Sequence, residues 1–101
     1  MIMRIVTTLP AQREINDIFQ YHLEKANRKI ARQEQTKIIK RIKTLKNFPF
    51  LGQKEENEKF VNSDYRYLIE GNFKIVYKVE EDDIVILSIF HTMQDPSKMS
   101  I

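Results

Sequence analysis

The chain has no cysteine and no tryptophan, only two glycines, and three prolines in 101 residues. Without cysteine there is no disulfide framework, no thiolate nucleophile and no thiolate metal site, which suits a reducing compartment. Gly52 and Gly71 stand alone, so no glycine-rich loop exists to cradle a phosphate. His22 and His91 lie far apart with no recognisable ligand spacing, so neither a metal nor another cofactor is expected. No apolar run approaches the roughly 20 residues that span a bilayer. The opening MIMRIVTTLP has no extended apolar region or small-residue cleavage site of the secretory kind. A soluble, cytoplasmic protein with no membrane partner is the expectation. A net charge of +3 does not by itself declare a nucleic-acid binder.

What is present is concentrated in the second half. Asp64 to Pro96 reads as three successive strands and a short tail. Gly71-Asn72 separates two runs rich in Tyr, Ile, Val and Phe, a hairpin signal in which Gly supplies positive φ. From Phe73 to Val79 the odd positions are apolar while Lys74 and Lys78 punctuate the other face, the period of a half-buried strand. The acidic run Glu80 to Asp83 makes the next turn. Ile84 to Phe90 is almost continuously apolar, as expected of a strand covered on both faces or lying mid-sheet. Val85, Ile86, Leu87 and Ile89 are expected to be the least accessible part of the sheet.

The first half supplies a layer to cover it. Ile2 to Thr8 is short, β-branched and apolar, a first strand. Thr8 then caps a helix with Pro10 in its first turn. Ala11, Ile15, Ile18, Phe19, Leu23 and Ala26 recur at helical spacing. Asn27 turns the chain into a second helix carrying Ile30, Ile38, Ile42 and Leu45 on one face. Phe48-Pro49-Phe50-Leu51-Gly52 ends that helix, because Pro49 cannot continue it. The short connection makes the two helices an antiparallel hairpin. Gln53 to Ser63, with Glu55, Glu56 and Glu58, reads as an exposed loop that Phe60-Val61 pins to the core. Residues 1–101 form one domain with the order strand, helix, helix, strand, strand, strand. Segregated helices and a mostly antiparallel sheet make the fold α+β. The strand from Ile84 to Phe90 belongs centrally, beside Phe73 to Val79 and the first strand.

The element order, the A-x-x-E-I-x-D-I-F stretch from Ala11 and the helix exit L-K-N-F-P-F-L-G resemble ParE-type toxins of the RelE/ParE superfamily. So do Y-R-Y-L-I-E-G-N-F-K-I-V-Y-K-V and the closing I-F-H-T-M-Q-D-P-S-K-M. The resemblance runs from Ile5 to Met99 and rests on the order and spacing of these segments together. It implies the toxin half of a bacterial type II toxin–antitoxin pair, held inactive by a cognate antitoxin. ParE-like members inhibit DNA gyrase without being nucleases, whereas RelE-like members cut messenger RNA on the ribosome. The long helical hairpin and its P-x-L-G exit look more like the ParE branch. Where many relatives carry basic residues after the histidine, this chain has Met93 and Gln94.

Two sets of candidate residues follow. A ribonuclease acting through a 2′-hydroxyl needs a base, an acid and a cation on the phosphate. Here that would fall to Arg66 and His91, with Lys74 and with Tyr65 or Tyr67 assisting. Arg66 matches the Y-R-x-L strand of the resemblance, and it can equally pair with a loop glutamate. A histidine at a strand end is more often structural than catalytic, and His22, on the edge of the first helix's apolar stripe, reads as packed. The second set is cationic. The second helix carries Arg28, Lys29, Arg32, Lys37, Lys40, Arg41, Lys43 and Lys46 against Glu34 alone. Arg28, Arg32, Lys40 and Arg41, with Lys74, are the candidates for contact with an antitoxin or target. A solvated helix face is the plain alternative. No aromatic side chain is interleaved along that helix for base stacking. The expected function is that of a ParE-like toxin that inhibits DNA gyrase; the alternatives are a ribosome-dependent endoribonuclease and a member that binds its antitoxin without toxicity.

Overall fold

The computed structural model describes residues 3–55 and 64–92. Within them the chain runs β1 (Arg4–Thr7), α1 (Leu9–Lys25), α2 (Arg28–Lys43), a 3-10 turn (Thr44–Lys46), β2 (Gln53–Lys54), β3 (Tyr65–Glu70), β4 (Phe73–Glu80) and β5 (Asp83–His91). This is the expected α+β order with one short strand, β2, added.

Each helix starts on the residue type that its free N–H groups require. Thr8 is extended and its hydroxyl accepts the Ala11 N–H at 3.4 Å, with Pro10 inside the first turn. The same hydroxyl donates to the Ile86 carbonyl at 2.8 Å, which ties the start of α1 to β5. Asn27 Oδ1 accepts the Ile30 N–H at 2.9 Å and caps α2. Ala11 and Ile18 of α1 are buried, as are Ala31, Ile38 and Ile42 of α2 and Leu45 of the 3-10 turn. Ile15, Phe19 and Leu23 are half-buried, and Ala26 is exposed at the helix end.

The sheet has the order β1-β5-β4-β3-β2. β1 runs parallel to β5 and the remaining pairs are antiparallel. β5 is flanked on both sides as expected, and β4 occupies the middle position. Gly71 turns β3 into β4 with φ of +59°, and Glu81 turns β4 into β5 at +56°. One face of the sheet carries Leu68, Ile75, Tyr77, Ile84, Ile86 and Ile89 into a common core with Ile18, Ile38, Ile42 and Leu45.

The apolar run Ile84 to Phe90 has a different cause from the one its composition suggests. Tyr77 pairs with Ile86 but Val76 pairs with Ser88, so Leu87 is an extra residue in a β-bulge. A bulge shifts the alternation by one. Before it, Ile84 and Ile86 face the helices; after it, Ile89 does. The intervening Leu87, together with Phe90, packs on the opposite face with Val76, Tyr65 and Tyr67. The run is therefore continuous because the pattern changes phase, and no helix among the described residues covers the second face. Ile86 and Ile89 are buried as expected, while Val85 and Leu87 are only half-buried.

The exposed-loop reading of Gln53 onward is corrected at its start. Gln53 and Lys54 pair with Tyr67 and Arg66 as β2, and the Glu55 N–H donates to the Tyr65 carbonyl at 2.7 Å. Glu55 is only 5% exposed. Glu56, Glu58, Phe60, Val61, Met93 and Gln94 lie outside the described residues.

Candidate functional site

Three surfaces carry the polar and aromatic side chains of interest. The first begins where α2 ends. The Phe48 N–H donates to the Thr44 carbonyl and the Leu51 N–H to the Phe48 carbonyl, which closes a tight knuckle over Phe48 to Leu51. Beneath it the buried Tyr77 hydroxyl accepts the Gly52 N–H at 2.8 Å and donates to the Pro49 carbonyl at 2.9 Å. Arg66 Nη1 donates to the Gly52 carbonyl at 2.9 Å, and its guanidinium lies 5.2 Å from the Phe50 ring centre. Burial pushes the Tyr77 phenol up, opposed by its bond to Gly52 and by the charges of Arg66 and Arg41. The backbone of the knuckle is thus held from below, while Phe48 and Phe50 each remain 63% exposed.

The second surface is the sheet face away from the helices. Lys74 lies there, Nζ 2.6 Å from Glu55 Oε2 and 4.2 Å from the Tyr67 ring centre. Its side chain is 19% exposed and that of Glu55 4%. Tyr67 donates its hydroxyl to Gln53 Oε1 at 2.8 Å, which fixes the ring against the ammonium.

The third is a cleft of about 960 Å³ between α1, α2 and the β3–β4 turn. Phe73 stands in its wall with His22 and His91 edge-on to it, ring centres 6.4 and 5.6 Å away. His22 Nδ1 donates to the Ile18 carbonyl at 2.8 Å. Glu14, Asp17 and Glu34 add carboxylates, and Glu34 pairs with Lys37 at 3.1 Å. Among the described residues no group of three or more such ligands is arranged for a metal ion.

The expected site residues are distributed over all three surfaces and the cationic side of α2. Arg66 pairs with Tyr77 and His91 with Phe73, on strands flanking β4 from opposite sides. Four residues along β4 and two strand spacings across it separate their Cα atoms by roughly 16 Å. The two are not brought together. Arg28 and Arg32 are exposed along α2 beside Lys29 and Lys37, and Lys40 points away from the core. Arg41 is half-buried on the flank nearest Tyr77. Lys74 lies across the sheet from all four, so the five cations make two surfaces rather than one.

The fold and these surfaces can be set against known proteins. The family described as "ParE toxin of type II toxin-antitoxin system, parDE" matches residues 5–96. The chain belongs to the ParE toxin family. A solved chromosomal ParDE system from P. aeruginosa is similar at 20% identity with a TM-score of 0.74, covering 89% of this chain and 96% of that one. The RelBE2 toxin–antitoxin complex from Mycobacterium tuberculosis is similar at 16% identity and a TM-score of 0.61, covering 90% and 99%. At such identities the likeness is one of fold. No curated protein gives a significant match.

In this ParE-family chain the residues that sequence reasoning missed are Glu14, Glu55, Tyr77 and the exposed pair Phe48 and Phe50. Glu14 accepts from the Ser88 hydroxyl at 3.1 Å and from the Ile89 N–H at 3.2 Å, satisfying donors at the β5 bulge. Burial raises its pKa, the two hydrogen bonds oppose the rise, and Asp17 adds to it. A carboxyl whose folded pKa lies above its unfolded value, ordinarily about 4.3, is better tolerated protonated. Its contribution is full below the unfolded value and is lost as pH rises through the folded one. Glu14→Gln keeps an oxygen for both donors and removes the charge. It is expected to be more stable than the parent near neutral pH, with the difference closing as pH falls through the carboxylate range. Denaturant titrations at both ends of that range check this, and a constant difference would place the pH dependence elsewhere.

Proposed function

We propose that this ParE-family protein is the toxin of a type II pair, neutralised by a cognate antitoxin, and that it acts by binding DNA gyrase rather than by cutting RNA. The observation that carries the choice is the separation of Arg66 from His91. General acid–base cleavage requires its acid, base and phosphate-binding cation within hydrogen-bond reach of one scissile group. Here Arg66 is held against Gly52 and Phe50 at one end of β4, and His91 stands against Phe73 at the other. Lys74, the remaining candidate cation, is engaged by Glu55 on the far face.

An antitoxin partner is favoured by two features. The similar solved structures are of toxin–antitoxin systems. The sheet ends in short edge strands, β1 and β2, and a partner segment can add to such an edge through backbone hydrogen bonds. Arg28, Arg32 and Lys40 suit an acidic segment laid along α2.

The test combines purified protein with gyrase and relaxed plasmid. Supercoiling is expected to stop in proportion to toxin and to resume when the product of the adjacent gene is added. Unimpaired supercoiling together with messenger RNA cut within codons on the ribosome would replace this reading with the endoribonuclease. Silence in both assays would leave an antitoxin-binding member without toxicity.

A further inference from the structure

The geometry points to the knuckle Phe48-Pro49-Phe50-Leu51 as the surface that docks on the toxin's protein target, inserting into an apolar pocket rimmed by carboxylates. This inference rests on the toxin reading but not on the identity of the target.

Exposure is the first ground. Phe48 and Phe50 are each 63% exposed and Leu51 47%, within four residues. Isolated exposed apolar side chains are ordinary, but a contiguous group of aromatics is the usual mark of an interaction surface. Preorganisation is the second. The completely buried Tyr77 hydroxyl and the Arg66 guanidinium hold the backbone under side chains that face solvent. Gly52 sits so close that an added Cβ would stand 2.6 Å from the Tyr67 carbonyl oxygen and 2.7 Å from the Tyr77 ring. A rigid exposed turn loses little entropy on binding, which is what an anchor requires. Core packing does not call for it, since the phenyl rings themselves contribute little to the core.

Charge identifies the occupant. Between Gln35 and Lys54 the chain has Lys37, Lys40, Arg41, Lys43, Lys46 and Lys54 and no carboxylate. Arg66 adds a guanidinium beside Phe50, and the one carboxylate among the described residues of the same hollow, Asp64, pairs with Lys54 at 3.6 Å, which leaves the balance cationic. Aromatic and arginine anchors surrounded by cations complement an apolar pocket with an acidic rim. Nucleic acid is less well matched. One side of the Phe50 ring is taken by Arg66, and Leu51 offers a base nothing to stack on.

The experiment uses the double variant Phe48→Ser/Phe50→Ser in the full chain. Thermal unfolding reports whether the fold is retained, and capture by the antitoxin reads separately whether the antitoxin surface is touched. Growth arrest on induction reads target engagement whatever the target is, and inhibition of purified gyrase reads it for the target proposed above. The expected result is growth arrest weakened about tenfold or more in inducer dose, as for truncated aromatic anchors, with antitoxin capture unchanged. Lys46→Glu/Lys54→Glu serves as a second variant should the first fail to fold, and its effect is expected in the same direction. Full growth arrest by a folded variant would overturn the inference while leaving the gyrase reading intact. Loss of arrest by the variant, with a parent protein that arrests growth but leaves gyrase active, would overturn the gyrase reading and keep the inference. Loss of antitoxin capture by a variant that still unfolds cooperatively, or a single-stranded oligonucleotide bound by the parent and released by that variant, would reassign the knuckle and overturn the inference.

Discussion

Gly52→Ala is expected to be among the most destabilising single substitutions in this chain, at about 3 kcal/mol or more. Overpacking a tight site typically costs about 1–3 kcal/mol, and this one has two further charges against it. The new methyl would meet a backbone oxygen and a buried ring rather than the free end of a flexible side chain. Pushing Tyr77 aside would also break the bonds from Gly52 N–H and to the Pro49 carbonyl, each unsatisfied group adding roughly 1–3 kcal/mol if it stays dry. Tyr77→Phe provides the calibration. It deletes the hydroxyl without adding volume and is expected to lose about 1–3 kcal/mol, less than Gly52→Ala. Chemical denaturation of the three proteins checks the order. A Gly52→Ala protein as stable as the parent would show that the knuckle is not held as described.

Lys74→Met is expected to cost close to the roughly 3–5 kcal/mol seen when one partner of a buried ion pair is removed. The nearly buried Glu55 carboxylate would lose the ammonium 2.6 Å away, on the face that no helix among the described residues covers. Because Lys74 keeps some contact with solvent, the lower end of that range is the better guide. The double variant Lys74→Met/Glu55→Leu should recover most of the loss, since the buried carboxylate that loses its cation is then gone as well. A double-mutant cycle measures the coupling directly. Losses that simply add would mean that the two side chains act independently and that the 2.6 Å contact contributes little.

The fold was legible because its determinants are local. Thr8 and Pro10 mark one helix start, Asn27 the other, and Gly71 the hairpin turn, each through a conformational requirement visible in the residue itself. The phase of β5 was not. A bulge at Leu87 depends on how Val76 and Tyr77 pair, and the run Ile84 to Phe90 looks the same whether two-sided burial or a phase change produces it. Ser88, the one polar residue in that run, was the available signal, and it marks the point where Glu14 enters. Glu55 looked like one of several loop glutamates, because its partner Lys74 is distant in sequence and meets it only through the β2–β3–β4 pairing. The cationic character of α2 was plain from composition. That Lys74 lies on another face was not, since it follows from strand alternation relative to a core that only the fold defines. In the sequence Phe48 and Phe50 mark only the end of a helix, and side chains that flank Pro49 give no local hint of facing outward.

Arg66 and His91 are the residues on which the binding and cleaving readings divide, and the decisive measurement is growth arrest by His91→Gln compared with the parent, with cellular transcripts mapped in both. A catalytic acid or base contributes about 10²–10⁴-fold to a rate, so a nuclease that relies on His91 could not survive its replacement. A toxin that works by binding gyrase has no proton to transfer. The expected result is undiminished growth arrest by a folded His91→Gln protein, with messenger RNA intact in both strains. Transcripts cut within codons by the parent and left whole by His91→Gln would contradict it.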